Sequence, residues 1–329
     1  MKYFVTGATG FIGHELVKSL LEKGNKVNAL VRSVKGFDLS GSENLSVFKG
    51  DLSDTEIIEK SMEGCEGVFH LAGYADIWSK NKNTPYEVNV EGTRNILEAA
   101  LKSKIKKVVF TSSAGTLRPS SLMEMIDETA DQPKEFLTDY EQTKFRAEKL
   151  CQTYNKNGLD IVIVNPARVY GPGLMGKSNS VTKIIKLYVE GKWRIIPGDG
   201  NFIGNYVFID DVVNGHIKAM ESGRKGEKYI LGGENVSFSQ LMEKIARVSG
   251  ENHSLIKIPV FPILLFSRIS LFLADKLMIK PVITPVWVKR YLQNRILSSK
   301  KAEIHLKYKI TPLETGIDLT IRWLKNLKN

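Results

Sequence analysis

A glycine-rich turn six residues into the chain constrains the fold most strongly. The run Gly7-Ala8-Thr9-Gly10-Phe11-Ile12-Gly13 follows the strand-like segment Lys2–Thr6 and opens a helical pattern. In such a turn Gly7 permits a tight bend, Gly10 lets backbone approach a pyrophosphate, and Gly13 allows the helix to pack closely on the strand. The helix N-terminus then offers free N–H groups to an anion. The turn predicts a dinucleotide site with contacts from Gly7, Thr9, Gly10, Phe11, Ile12 and Gly13.

Short apolar runs alternate with helical patterns through the first half of the chain, which predicts βαβ units and a parallel sheet. Runs such as Val108-Val109-Phe110 are apolar on both faces, as a sheet covered by helices requires. The expected fold class is α/β, a Rossmann-type doubly wound parallel sheet with a smaller, mostly helical C-terminal substrate lobe. The predicted strands are Lys2–Thr6, Lys26–Val31, Leu45–Phe48, Gly67–Leu71, Lys107–Ser112 and Asp160–Asn165.

The alternating rhythm stops after Asn165, where Gly171-Pro172-Gly173 and Pro197-Gly198-Asp199-Gly200 form turn clusters. We therefore expect a dinucleotide-binding domain over residues 1–170 and a mainly substrate-binding lobe over residues 171–329. A later segment, near 205–236, is expected to return to the first domain.

The residue after the second strand indicates which dinucleotide binds. An acid there would bind the adenosine 2′-hydroxyl of NAD, but the strand ends Val31-Arg32-Ser33 and the first acid is Asp38. A guanidinium suits a 2′-phosphate, so Arg32 favours NADP, with NAD as the alternative cofactor. A merely solvated Arg32 is the competing interpretation.

Further cofactor contacts are expected at the ends of the next two strands. Asp51 and Leu52 follow the third strand, where a carboxylate can accept a bond from the adenine amino group, although an acid near a helix N-terminus also occurs for structural reasons. Small residues follow the fourth strand, as a close backbone approach to a ribose needs. They are Leu71, Ala72 and Gly73.

A tyrosine and a lysine four residues apart suggest the chemistry. Tyr140 and Lys144 lie one helical turn apart on one face. A nearby ammonium favours the phenolate and lowers the tyrosine pKa from about 10. The phenol can then donate a proton to a carbonyl oxygen while hydride is transferred. Ser113, after the fifth strand, is expected to hold the reacting oxygen.

Together these segments resemble the extended short-chain dehydrogenase/reductase family. The resemblance rests on Thr6–Gly13, Asp51-Leu52, His70–Gly73, Asn89–Thr93, Thr111–Gly115, Tyr140–Lys144, Pro166–Gly173 and Val207–Asp211. It implies a catalytic set of Ser113, Tyr140 and Lys144, with Asn89 positioning a water near the lysine. It also implies that Pro166, Ala167 and Val169 lie against the nicotinamide.

Two branches of that family compete. Nucleotide-sugar epimerases and dehydratases carry an arginine for the sugar-nucleotide diphosphate where this chain has Gly204-Asn205, so only Arg194 or Lys192 is left to compensate. The Thr111–Gly115 run and Leu231–Asn235 instead resemble the dihydroflavonol-reductase-like branch. The expected activity is NADP-dependent reduction of a ketone or aldehyde, and the alternative is an NAD-dependent epimerase or dehydratase.

Composition bears on partners and location. The net charge of +11 comes mostly from dispersed lysines, which predicts a solvated surface rather than nucleic-acid binding. A non-catalytic dinucleotide-binding or RNA-associated protein is a third functional alternative. Cys65 and Cys151 indicate free thiols in a reducing compartment, and the N-terminus lacks a signal-peptide pattern, so a cytoplasmic protein is expected. We expect a small-molecule carbonyl substrate, for which the apolar Val260–Trp287 region would suit a hydrophobic molecule, and a monomer or homodimer.

Other patterns are interpreted structurally. Gly171–Ser178 spells a phosphate-loop pattern but trails its strand by six residues, so we interpret it as a loop beside the nicotinamide. The scattered histidines predict no metal site, and Asp210-Asp211 is expected to cap a helix. The apolar stretch Val260–Ala274 is broken by Pro262 and carries Arg268, so it is too short and too polar to span a bilayer. We expect this stretch to be buried in the protein rather than to contact a membrane surface.

Overall fold

The strands of the first half form the parallel sheet that the sequence predicts. A computed structural model describes residues 1–34, 37–76, 78–121, 124–176 and 179–327. The seven-stranded sheet has the order β10-β6-β5-β4-β1-β2-β3, and its neighbouring strands pair in parallel. These strands are β1 (Lys2–Thr6), β2 (Lys26–Val31), β3 (Leu45–Lys49), β4 (Gly67–His70), β5 (Lys107–Thr111), β6 (Ile161–Pro166) and β10 (Lys228–Leu231).

Helices cover both faces of this sheet. Those of the first half are α1 (Phe11–Glu22), α2 (Thr55–Met62), α3 (Thr84–Tyr86), α4 (Gly92–Lys102) and α5 (Asp139–Lys156), and a π-helical turn, Glu87–Glu91, joins α3 to α4. Those of the second half are α6 (Ser180–Val189), α7 (Ile209–Ser222), α8 (Phe238–Ser249), α9 (Val260–Leu277), α10 (Pro285–Leu292), α11 (Lys300–Leu306) and α12 (Leu313–Asn326).

The order of the strands determines where a ligand can bind. The chain moves outward from β1 through β2 and β3, then crosses to β4 on the other side of β1, so Val5 lies between Ala29 and Phe69. The two connections leave on opposite sides of the sheet and open a crevice at the carboxyl ends of β1 and β4. The glycine turn follows β1 at this crevice.

The C-terminal part contains more β-strands than the mostly helical pattern of its sequence predicts. A three-stranded sheet joins β11 (Glu234–Ser237), β9 (Ile203–Phe208) and β7 (Arg168–Tyr170), and β12 (Ile256–Ile258) pairs with β8 (Ile195–Pro197). These strands have three to six residues, too few for a clear period-two pattern. Within the expected returning segment, β10 joins the main sheet beside β6.

The expectation that Val260–Ala274 is buried is wrong. Helix α9 covers this stretch, and its buried residues are Ser267 and Ala274, while Phe261 is 74% and Phe272 is 61% exposed. The helix packs through these small residues and some half-buried apolar neighbours, while its other large side chains point outward. Hydropathy alone could not show this, because nearly every side of α9 is apolar. Across the described ranges, no helix is both long and apolar enough to cross a membrane.

Two histidines are fully buried beneath the carboxyl end of the sheet. His70 contacts the Thr6 and Thr93 hydroxyls at 2.7 and 3.0 Å, and His216 contacts the Thr111 hydroxyl at 2.8 Å. Burial lowers the pKa of His70 to about 3 and that of His216 to about 4. Both rings are therefore neutral in the folded protein at mildly acidic pH.

This burial predicts a pH-dependent stability. Below the unfolded pKa of about 6.5 the unfolded chain binds protons that the folded chain does not, so stability is lost as pH falls. We expect each histidine to remove about 2 kcal/mol of unfolding free energy between pH 7 and pH 5. In urea titrations at both pH values, His216→Asn should reduce the loss by that amount, and the control His305→Asn, half-buried on α11, should not. An equal pH slope in His216→Asn and the wild type would contradict this account.

Candidate active site

The crevice opens into a cavity of about 1230 Å³ at the carboxyl ends of the parallel strands. Tyr140, Lys144 and Ser113 line it together with the glycine turn and Arg32, so one cavity contains both the predicted dinucleotide contacts and the predicted catalytic side chains. The predicted cofactor residues along its wall are Gly7, Thr9, Gly10, Phe11, Ile12, Gly13, Arg32, Asp51, Leu52, Leu71, Ala72, Gly73, Pro166, Ala167 and Val169.

The backbone of the glycine turn is packed too closely for side chains. Gly7 has a φ of 75°, and a Cβ on it would lie 2.6 Å from the Ala72 nitrogen. A Cβ on Gly13 would lie 2.1 Å from the Gly7 carbonyl oxygen. Gly10 precedes α1 and offers no side-chain cap, and the first turn of α1 has no acid. The positive end of α1 therefore faces the cavity without a competing carboxylate, which fits a pyrophosphate.

Arg32 and Asp51 line this cavity after β2 and β3, where the sequence predicts that adenosine binds. Arg32 is exposed at the end of β2. Asp51 accepts hydrogen bonds from the Ser53 backbone and hydroxyl at 2.8 and 2.7 Å, and these bonds, followed by the charge of Arg32, lower its carboxyl pKa. Asp51 therefore has a local structural role, and its contact with adenine stays a prediction.

Tyr140 lies at the start of α5, which Thr138 begins by accepting a bond from the Glu141 nitrogen at 3.1 Å. The Tyr140 phenol and the Ser113 hydroxyl both line the cavity and lie close to each other. Burial raises the pKa of this phenol, and the guanidinium of Arg290 and the nearby Ser113 hydroxyl oppose the rise. The pair offers two hydroxyls to a single oxygen atom at the end of β5.

Lys144 is buried behind Tyr140 and donates to the Thr111 carbonyl oxygen at 2.9 Å. Burial lowers the pKa of its ammonium to about 8. The cation that acts on the Tyr140 pKa in this arrangement is Arg290, so the predicted effect of Lys144 on that phenol stays a prediction.

Asn89 lies in the π-helical turn and does not line the cavity. Its carboxamide bonds to both backbone groups of Tyr74 and to the Thr143 hydroxyl. A Cβ on Gly73 would lie 2.9 Å from Lys144 Nζ and 3.2 Å from Asn89 Oδ1, so these two side chains meet beneath Gly73. The role of Asn89 in positioning a water stays a prediction.

A group of arginines that the sequence did not indicate lies in the cavity wall. Arg290 and Arg295 both contact the buried carboxylate of Glu141, at 2.6 and 3.4 Å. Arg168 stacks between the rings of Tyr206 and Tyr291 at 5.6 and 4.9 Å from their centroids. Three guanidiniums with one carboxylate make this wall positive. No local pattern points to them, because Arg290 and Glu141 lie 149 residues apart.

The residues expected to replace the missing sugar-nucleotide arginine lie elsewhere. Neither Lys192 nor Arg194 lines the cavity, and Lys192 pairs with Glu190 at 2.9 Å. Gly204 stands at the position of the missing arginine, and Asn205 beside it bonds to Gly233 and Asn235 and thereby holds the turn after β10.

The structure also bears on the helix cap expected at Asp210-Asp211 and on the phosphate-loop pattern. Asp211 does not cap α7; both its oxygens bind Thr311, at 2.7 and 2.8 Å, and the helix begins after Phe208 without a side-chain cap. Lys177 and Ser178, which complete the phosphate-loop pattern, lie outside the described residues. Within the described residues, no group of three or more His, Cys, Asp or Glu side chains is placed to hold a metal ion.

A crevice at the switch point of a parallel sheet, with a glycine turn at one end and a tyrosine–lysine pair at the other, defines a dinucleotide-dependent enzyme. Residues 3–232 match the NAD dependent epimerase/dehydratase family, and the chain belongs to that family. It is an NAD(P)-dependent extended short-chain dehydrogenase/reductase, as the resemblance indicated.

Similar proteins lie in both branches considered above. The chain is 32% identical to a putative dihydroflavonol 4-reductase of Synechocystis, covering 98% of this chain and 94% of the relative. It is 31% identical to cinnamoyl-CoA reductase 2 of Arabidopsis thaliana, over 74% and 76% of the two chains. The structure of a UDP-glucose 4-epimerase from Thermotoga maritima superposes with a TM-score of 0.82 over the full length of both chains; at 24% identity it shows a shared fold.

Proposed function

We propose that this protein is an NADP-dependent reductase that converts a ketone or aldehyde to an alcohol. The observation that carries the proposal is the Ser113–Tyr140 hydroxyl pair, which lies in the same cavity as the glycine turn and Arg32. The similarity to reductases along nearly the whole chain supports it. The residues of 171–329 that reach the cavity would contact the substrate, while 1–170 would hold the cofactor.

Each step of the proposed reduction can be assigned to a residue of the cavity. Ser113 donates a hydrogen bond to the substrate carbonyl oxygen and fixes it beside Tyr140. When bound, NADPH supplies the hydride. Tyr140 gives its proton to the oxygen as negative charge develops there, and the neighbouring Arg290 stabilises the phenolate that remains. Lys144, one helical turn away, would add to this stabilisation. Asn89 and Thr143 hold the helix turn that carries Tyr140.

Replacing Arg32 should abolish the cofactor preference. The exposed guanidinium after β2 would bind the 2′-phosphate of NADPH, and a lost charge-assisted bond corresponds to about 10- to 100-fold in affinity. In fluorescence titrations, Arg32→Ala should weaken NADPH binding by that factor and leave NADH binding unchanged. The control Arg322→Ala, 73% exposed in its side chain on α12, should change neither. Tighter binding of NADH by the wild type would contradict the NADP assignment.

One observation favours a second candidate, an epimerase or dehydratase acting on a nucleotide sugar. The positive wall formed by Arg168, Arg290 and Arg295 could bind a diphosphate although the expected arginine is absent. An enzyme of this kind returns the hydride, so its cofactor is not consumed. NAD that remains bound through purification, with interconversion of UDP-sugars, would favour this candidate over the reductase.

A further inference from the structure

Helix α9 presents its large apolar side chains to the outside. Phe261 and Phe272 are more than half exposed, as are the side chains that follow the helix at Ile279 and Val282. Contiguous apolar surface of this extent on a water-exposed protein marks an interaction site. The outward side chains of the helix are Phe261, Leu265, Phe266, Ile269, Phe272, Leu273 and Leu277, and we refer to them as the α9 surface.

The α9 surface is one continuous side of the helix. At 100° per residue its seven side chains fall within about 160° of arc, and Lys276 is the one charged residue inside that arc. The opposite side carries Ser267 and Ala274, which are buried, and Ser270, which accepts a bond from the Val282 nitrogen at 3.0 Å. The helix is therefore anchored to the protein through this opposite side, and the α9 surface faces outward.

Charge distinguishes between the partners that such a surface could bind. From Ile256 to Lys289 the chain has five basic residues and one acid, Asp275, in a protein of net charge +11. A symmetric dimer through this surface would bring like charges together. An anionic bilayer would instead attract the basic residues while its acyl region accepts the phenylalanines and leucines.

The α9 surface also leads to the cavity. The segment after the helix contributes Lys280, Val282 and Ile283 to the cavity wall. Lys280 pairs with Asp76 at 2.5 Å, and Asp275 accepts a bond from the Trp78 indole at 2.9 Å, so the end of α9 is fixed to the loop that follows β4.

We propose that the α9 surface docks the protein on an anionic phospholipid bilayer, lying in the headgroup region without crossing it. Docking in this way places the segment at the cavity entrance next to the lipid. The proposal is independent of the reductase chemistry, because none of the seven side chains lines the cavity.

Vesicle flotation tests this proposal. The full-length protein should float with vesicles of phosphatidylcholine and phosphatidylglycerol, and much less with phosphatidylcholine alone or in high salt. Phe261→Ser with Phe272→Ser should lower the partition coefficient at least about tenfold, since two buried aromatic side chains are lost. Lys276→Glu should lower it several-fold on the anionic vesicles only.

A matched control variant and the results that would overturn the proposal complete the test. Ile304→Ser with Leu319→Ser removes exposed apolar side chains from α11 and α12 and should not change flotation. All variants should keep wild-type NADPH affinity, which shows that they fold. The proposal is overturned if the wild-type protein does not float, if the control variant loses as much binding, or if neutral vesicles bind equally well. A wild-type dimer that the double phenylalanine variant converts to monomer, without vesicle binding, would show instead that a second copy covers this surface.

Discussion

Tyr140→Phe should lower kcat by about 10²- to 10⁴-fold while NADPH affinity changes by less than about threefold. The substitution removes the proton donor and leaves the ring, the cavity wall and the glycine turn in place. The remaining Ser113 hydroxyl can polarise a carbonyl, but an aliphatic alcohol is a much weaker acid than a phenol and does not replace the proton donor. Single-turnover absorbance of NADPH, measured beside a binding titration, separates the chemical step from cofactor binding.

Tyr154→Phe is the matched control for this prediction. Tyr154 lies on the same helix, α5, but its hydroxyl bonds to Glu98 at 3.0 Å, away from the cavity. The control should keep wild-type kcat and nearly wild-type stability. A Tyr140→Phe enzyme with more than a tenth of wild-type kcat would show that another group supplies the proton.

Glu148→Leu should lower the free energy of unfolding by about 3–5 kcal/mol. The Glu148 side chain is buried and joins the ends of three strands: it accepts bonds from Ser112 at 2.5 Å and Asn165 at 2.8 Å and pairs with Lys228. It also accepts a bond from Thr116 at 2.8 Å, in the turn that follows Ser113. Leucine fills the space but leaves these donors without an acceptor.

Urea unfolding provides the measurement for Glu148, and two further variants control for it. Glu148→Gln keeps an acceptor oxygen and loses the charge, so its loss should be intermediate. Glu59→Gln removes an exposed carboxylate paired with Lys102 and should cost less than about 1 kcal/mol. A loss below about 1 kcal/mol in Glu148→Leu would show that the donors find other partners.

The predicted residues that the structure brings to one cavity are indicated by local sequence. The glycine turn, the strands and the Tyr140–Lys144 spacing each lie within a few consecutive residues, and parallel strands bring their carboxyl ends to one edge. Once the strand order is known, it is sufficient to bring Arg32, Ser113 and Pro166 to the wall of one cavity. Whether each residue performs its predicted role is a matter for the variants above.

The features that were missed depend on distant contacts. Arg290 reaches Glu141 from a helix that no sequence pattern places at the cavity, and Lys228 reaches Glu148 across 80 residues. Helix α9 shows a different limit, because an apolar helix has the same hydropathy whether other helices or a bilayer cover it. Only the packing of Ser267 and Ala274 shows which side faces inward.

Transfer of deuterium from 4-deuterated NADPH to a panel of ketones and aldehydes tests the central claim most directly. A reductase should place one deuterium on the carbinol carbon of the product and form one NADP⁺ for each alcohol, and Tyr140→Phe should suppress both. The account is contradicted if no member of the panel gives a deuterated alcohol while UDP-glucose is epimerised with no net consumption of cofactor.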